Sequence, residues 1–474
     1  MGRKRAVGAV VLAGGLGTRM RSQTAKVLHA LGGRPLISYP LAALRAAKVD
    51  PIVVIVGHQA HAVRDACAPY NVRTALQREQ RGTGHAVAMA RSALGDFHGD
   101  LLLVYGDLPF LRPETFRRLA TEHQRAGAAV SLLTETVDNP SSFGRIARDP
   151  AGRVIGIVEE RDCTAEQRKI REINVGVYCA DSDFLFSALR RLKPNNVQGE
   201  LYLTDIIAIA RNDGARIAAA AATSGEGTQI SDRRDLAACE QILRDKLVRH
   251  WMDAGVTFED PAGAYIGPDV KIGRDTIIGP NAILRGATTI GRDCRIDGSC
   301  MIKDSKIGDR VHVRLGVVIN EAEVAADVLI GPFAQLRPGT KLGAQVHIGN
   351  FVETKNALLK RGVKANHLAY LGDTEIGDAT NIGAGTITCN YDGFVKARTV
   401  IGKRVQVGSD SQLIAPISIG DDVYIATGTT VRKDVAAGAL VFNPKPQMER
   451  DGWTAVKRKS QTRQKGRKER RKRR

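Results

Sequence analysis

The chain is predicted to be an α/β domain on a mostly parallel sheet, then a linker helix, then a parallel β-helix of hexapeptide repeats. Three observations predict this. Near-continuous apolar runs alternate with helical stretches over residues 6–230, a helical stripe crosses residues 232–254, and aliphatic residues then recur every six positions. Ala9–Ala13, Ile52–Val56, Leu101–Tyr105 and Ala128–Leu133 read as strands buried on both faces, which is the pattern of a doubly wound sheet. Leu236, Ile242, Leu243, Leu247 and Trp251 form one helical face, closed by Gly255.

The sixfold phase starts at Ile266, Ile272, Ile278, Leu284, Ile290, Ile296 and Ile302, and glycine follows four of these. It returns at Ile330, Leu336, Leu342 and Ile348, then at Ile376 and Ile382, then from Ile401 to Val431. Neither a period of 3.6 nor of 2 generates six, whereas one face of a three-sided solenoid does. The aliphatic residue points inward, and the small residue behind it is expected to let the chain turn the corner. Phase is lost over 314–329 and 385–400, which are expected to be insertions outside the coils. The resulting parts are 1–230, a linker at 231–255, a β-helix at 256–445 and a C-terminal segment at 446–474.

The 474 residues carry a net charge of +20. Lys457–Arg474 holds twelve Lys/Arg and one Glu, which leaves +9 for the rest. With nothing apolar to bury, this tail is expected to be disordered and solvated, with contact to anionic surfaces as a lesser expectation. No apolar run approaches the ~20 residues of a membrane span. Seven scattered cysteines without a CxxC pair suit a reduced, cytoplasmic protein lacking structural zinc.

Between the first strand and a helical stretch lies Leu12-Ala13-Gly14-Gly15-Leu16-Gly17-Thr18-Arg19-Met20. Glycines there allow backbone N–H groups to close on phosphate oxygens. Arg19 and Lys26 add two cations, as phosphoryl or nucleotidyl transfer requires, and the spacing differs from a Walker loop. Asp107 ends an apolar run, placing it at the carboxyl edge of a strand, where α/β ligands bind.

These residues, with Lys26-Val27-Leu28, Gln77, Gly82-Thr83-Gly84-His85-Ala86 and Tyr105-Gly106-Asp107-Leu108-Pro109, resemble the signature of sugar-nucleotide pyrophosphorylases. With the hexads, the chain up to about Trp453 is similar to the bacterial bifunctional uridylyltransferase/glucosamine-1-phosphate acetyltransferase family. The resemblance implies a Rossmann-like nucleotidyltransferase domain and a left-handed β-helix. It implies that Leu12, Ala13, Gly14, Gly15, Gln77, Gly82, Thr83, Tyr105 and Gly106 hold UTP, with Arg19 and Lys26 neutralising its phosphates. Gly144, Glu159 and Asn174 would hold the sugar. Asp107 would bind Mg²⁺, with Ser231 of Ile230-Ser231-Asp232-Arg233 in place of the family's second, asparagine ligand. A helix N-cap is the competing role for Ser231.

Acetyl transfer to an amine needs a base and anchors for both substrates. His367, in Lys364-Ala365-Asn366-His367-Leu368, is expected to point outward at a corner, next to an inward Leu368. The run Asn381-Ile382-Gly383-Ala384-Gly385-Thr386-Ile387-Thr388-Cys389-Asn390-Tyr391-Asp392-Gly393 matches the same family. The resemblance implies His367 as proton acceptor. It implies Arg337, Lys355, Tyr370 and Asn381 around glucosamine 1-phosphate, and Ala384, Asn390, Tyr391, Ser409 and Thr427 along acetyl-CoA. Lys445 beside Pro444 would take the place of an arginine that some members direct at the coenzyme phosphate. The family assembles as a homotrimer with shared acetyl sites. Two rivals are a nucleotidyltransferase with a regulatory β-helix and a non-enzymatic assembly subunit. His367, Asn390 and Tyr391 oppose the first, and Arg19, Lys26 and Asp107 the second.

Overall fold

The computed structural model describes residues 5–140, 143–444 and 446–472. The chain divides into two compact units: Met1–Asp253 with Ala264–Val270, and Ala254–Gly263 with Lys271–Arg474.

In the first unit the Val7–Ala13 strand lies inside the sheet, parallel to Ile52–Val56 on one side and to Asp100–Tyr105 on the other. The chain thus leaves this strand in both directions, which opens a crevice beyond its carboxyl end. The sequence did not reveal Glu172–Asp181, which runs antiparallel between Asp100–Tyr105 and Val130–Thr136. Its ten residues carry a positive-φ glycine, Gly176, and its register slips between Asn174 and Tyr178. Two apolar layers sandwich the sheet, one around Val11, Leu41 and Phe116 and the other around Val10, Leu103 and Phe186.

The linker helix spans Arg233–Asp253. Asp232 caps it, with Oδ1 accepting from the amides of Arg234 (2.7 Å) and Asp235 (3.0 Å). Asp235 returns the bond to the amides of Ser231 (2.8 Å) and Asp232 (3.1 Å). Leu243 and Cys239 face the core, whereas Ile242 is exposed. Gly255 follows at φ +90°.

The second unit is a left-handed parallel β-helix of short strands stacked in register. Each hexapeptide face buries two residues, the aliphatic one and the residue two before it, as in Thr276/Ile278, Thr288/Ile290 and Val405/Val407. Residues 314–329 are not an insertion. Ile307, Val313, Ile319, Val324 and Ile330 continue the buried row, and the phase slips because two steps, Ile302 to Ile307 and Ile319 to Val324, are five residues long. The 385–400 interruption is a true excursion, between the strands Ile387–Cys389 and Thr399–Ile401.

The glycine behind the aliphatic residue does not turn the corner. A Cβ on Gly273 would sit 2.4 Å from the carbonyl oxygen of Gly291 on the next coil, so glycine is required by close stacking. The left-handed backbone falls two residues later, at Asp275, Asn281, Asp293, Asp327 and Asp410, where Asp and Asn tolerate positive φ. Leu368 holds such a position (φ +46°) and is 63% exposed; Ala365 is the inward residue.

The basic tail, expected to be disordered, carries a helix over Trp453–Lys472. Lys, Arg and Gln are good helix formers, and the described side chains bury nothing. No helix among the described residues is long and apolar enough to cross a membrane.

Candidate active sites

Two adjoining cavities open at the carboxyl edge of the α/β sheet. The first, about 540 Å³, is lined by Leu12–Arg19, Lys26, Gln77, Gly82, Thr83, Tyr105, Asp107 and Gln229. The second, about 570 Å³, is lined by Gly144, Glu159, Asn174, Tyr202 and Gln229, and shares Thr18, Arg19, Thr83 and Tyr105 with the first. Every residue expected in this region except Ser231 and Gly106 lines one or both. Gly106 supports the floor, where a Cβ would lie 2.8 Å from the Ile37 side chain.

The glycine loop is shaped by its neighbours. Gly17 is left-handed (φ +61°), and a Cβ there would meet the Lys26 side chain at 2.7 Å. The loop is held from below by Gln80, whose amide donates to the Gly14 carbonyl (3.0 Å). Buried Gln77 donates to the Gly82 carbonyl (3.2 Å).

Asp107 is buried, and its carboxylate receives the Lys26 ammonium and the Gln229 amide (3.2 and 3.3 Å). Gln229, not Ser231, is therefore the side chain facing Asp107. Ser231 stands just before the helix cap and lines neither cavity. Gln229, in the segment Glu226-Gly227-Thr228-Gln229, was not singled out from sequence.

On the sugar side, Asn174 donates to the Tyr178 hydroxyl (2.7 Å) and accepts from the Gly176 amide (3.0 Å), which fixes its side chain. Burial pushes the Glu159 carboxyl above its ordinary range, against a hydrogen bond from Thr204. Burial likewise raises the Tyr105 phenol, with the nearby Glu159 charge adding to it.

In the β-helix, strand register stacks Ile348, Ala365, Ile382, Val407 and Ile425. Two residues after each stand Asn350, His367, Ala384, Ser409 and Thr427, so these share one corner of successive coils. His367 to Thr427 is three steps, about 14 Å at the spacing of paired strands. Asn350 Oδ1 lies 3.0 Å from His367 Nδ1. Tyr370 begins the next strand just past this corner and pairs with Glu353. Glu353 accepts from Arg337 (2.6 Å).

Lys355 lies against Lys396, whose positive charge pulls its ammonium pKa down. Asp373 accepts from Asn356 (2.7 Å) and from buried Asn390. Lys396, Asp373 and Asn356 also line a cavity of about 360 Å³. Asn350, Glu353, Asp373 and Lys396 were not singled out from sequence. Lys396 lies in the excursion, which was the available signal. Tyr391 is exposed, with its hydroxyl donating to the Gly393 carbonyl (2.6 Å). Asn381 pairs with Lys364 and Gln406 on the face before the corner. No hydrogen bond among the described residues joins His367 to the Arg337 group. Lys445 lies outside the described residues.

Residues 9–170 match the MobA-like NTP transferase domain. Residues 398–433 match the bacterial transferase hexapeptide (six repeats), and residues 269–303 the hexapeptide repeat of succinyl-transferase. The chain is 49% identical over 449 residues to the Bifunctional protein GlmU of Pelobacter propionicus, covering 94% of this chain and 98% of that protein. It is 48% identical over 452 residues to that of Trichlorobacter lovleyi (95% and 98%) and 44% over 466 residues to that of Mycolicibacterium vanbaalenii (96% and 94%). With a nucleotidyltransferase cleft and a hexapeptide-repeat acyltransferase corner in one chain, the protein belongs to the GlmU family of bifunctional uridylyltransferase–acetyltransferases.

Proposed function

We propose that the β-helix acetylates glucosamine 1-phosphate from acetyl-CoA, and that the α/β unit transfers UMP from UTP to the product, giving UDP-N-acetylglucosamine and pyrophosphate. The observation that carries the first reaction is the corner row Asn350–His367–Ala384–Ser409–Thr427. With Nδ1 directed at the Asn350 carbonyl oxygen, Nε2 is free to take the proton of the sugar ammonium before the amine attacks the thioester carbonyl. Arg337, Lys355 and Lys396 gather positive charge for the sugar phosphate beside Tyr370, and Asn381 completes the pocket. Ala384, Asn390, Tyr391, Ser409 and Thr427 would line the coenzyme, with Lys445 at its phosphate.

In the second reaction the sugar phosphate attacks the α-phosphorus of UTP in line, so no protein nucleophile is needed. Gln77, Gly82 and Thr83 hold the base. Gly14, Gly15, Arg19 and Lys26 cradle the phosphates, and Gly144, Glu159 and Asn174 orient the sugar. Asp107 and Gln229 supply hard oxygen donors at the strand edge, and Mg²⁺ needs only one or two such ligands when phosphates provide the rest. Bound Mg²⁺ would neutralise charge developing on the triphosphate.

Exposed apolar side chains on the β-helix, among them Ile387, Val400 and Tyr424, support a homotrimer. Seven free cysteines support a reducing, cytoplasmic setting. The deciding experiment assays the full chain with glucosamine 1-phosphate, acetyl-CoA and UTP beside Lys26→Ala and His367→Ala. Each variant should lose one reaction and keep the other, and loss of both from either would overturn the two-site reading.

A further inference from the structure

The excursion over 390–397 is a closed hairpin that stands on Asn390. The Asn390 carbonyl accepts from the Ala397 amide (2.9 Å), and Tyr391 bridges antiparallel to Lys396. At the tip, Asp392 Oδ1 accepts from the Phe394 and Val395 amides (2.8 and 2.7 Å). The hairpin carries groups for both substrates, Tyr391 on the coenzyme side and Lys396 against Lys355 on the phosphate side. Asn390 is buried and ties the base of the hairpin to Asp373, on the preceding coil. The other Asp373 oxygen accepts from Asn356 (2.7 Å), one coil further back. Asp373 and Asn356 line the 360 Å³ cavity together with Lys396 and Ala397 of the hairpin.

The turn of the coil does not by itself call for a carboxylate here. Asn356 holds the same left-handed backbone (φ +45°, against +46° for Asp373) without a charge. The carboxylate is explained by what it holds. It can only accept, so Asn390 must turn its Nδ2 toward it, which directs the amide oxygen the other way. Burial works against the Asp373 charge, but the two amides and the Lys355 and Lys396 ammonium groups outweigh burial and keep the carboxyl below its ordinary value. We infer that Asp373 is a positioning residue for acetyl transfer. It acts through Asn390 to fix the base of the hairpin, and so sets Tyr391 and Lys396 in place together. This rests on the acetyl-transfer reading above.

The test uses the full chain with Asp373→Ala, Asp373→Asn, Asn390→Ala and the Asp373→Ala/Asn390→Ala double variant. Acetyl transfer is titrated separately in acetyl-CoA and in glucosamine 1-phosphate, and coenzyme A binding is measured by calorimetry so that a slow variant still reports. Asp373→Ala should lower kcat/KM for acetyl-CoA by about tenfold, as expected for a lost hydrogen bond to a charged group. KM for glucosamine 1-phosphate should change by less than about threefold, because the lost carboxylate leaves the two lysines more attractive to phosphate while the hairpin loosens. Asp373→Asn keeps one accepting oxygen and should fall between Asp373→Ala and wild type. In the Asn390→Ala background, Asp373→Ala should cost no more than about twofold further, since the residue acts through Asn390. Equal losses in both backgrounds would overturn the inference, as would Asp373 variants that keep wild-type constants. So would a loss that tracks a lowered unfolding temperature in both Asp373 variants, because the carboxylate would then be holding the coil. A wild-type chain that acetylates no amino sugar would instead sink the underlying reading.

Discussion

Asn350 Oδ1 and His367 Nδ1 lie 3.0 Å apart on adjacent rungs of one β-helix corner. An amide oxygen can only accept, so this bond selects the tautomer with hydrogen on Nδ1 and a lone pair on Nε2. Asn350→Ala should lower kcat for acetyl transfer by about tenfold, while His367→Ala should lower it by about 10²-fold or more. Asn350→Asp sets a carboxylate against the ring, which favours imidazolium, so the acid limb of the kcat/KM profile should move to higher pH. Uridylyl transfer should be unchanged in all three, as a coupled assay with separate substrates would show.

Gln229 and Ser231 separate cleanly by experiment. Gln229→Ala should raise the Mg²⁺ concentration for half-maximal uridylyl transfer by about tenfold, with Gln229→Asn recovering part of it. Ser231→Ala should leave the Mg²⁺ titration at wild-type values. Loss of one ligand or ligand-orienting contact sets the magnitude.

The buried Glu159 carboxyl titrates above its ordinary value, so folding favours its protonated form. Ionisation therefore costs stability as pH rises from the unfolded-state value of about 4.3 through the raised folded value. Glu159→Gln removes that cost. The ligand-free variant should melt above wild type at neutral pH, and the gap should close as pH falls below about 4. The same variant should bind the acetylated sugar phosphate about tenfold more weakly.

Lys355 and Lys396 press two like charges together in an exposed site, which is unfavourable until an anion arrives. Lys396→Ala should raise KM for glucosamine 1-phosphate by about tenfold and flatten its dependence on ionic strength, measured between low and physiological salt. KM for acetyl-CoA should change less.

Much of this was legible in the chain because periodicity is a local signal. The strands at Ile52–Val56 and Leu101–Tyr105, the linker stripe and the hexads each follow from spacing alone. What escaped depends on neighbours distant in sequence. The antiparallel Glu172–Asp181 strand is apolar in either direction and shows its orientation only through pairing. Two five-residue steps looked like lost phase because a solenoid tolerates a shorter face as long as an aliphatic residue still lands inside. Asn350 and Lys396 acquire meaning only when the next coil sets His367 and Lys355 beside them. Gln229 meets Asp107 only across 122 residues of sequence, a separation that local patterning does not bridge.

The corner row has a consequence for how such a site can change. Asn350, His367, Ala384, Ser409 and Thr427 are graduations on a ruler whose unit is one coil. Duplicating or deleting a whole coil above His367 would lengthen or shorten the binding edge by one rung while keeping every remaining side chain at its angle. A single inserted residue would instead rotate the rungs beyond it off the edge. A solenoid therefore lets the length of a ligand be matched in discrete steps, with the orientation of the reacting groups left intact.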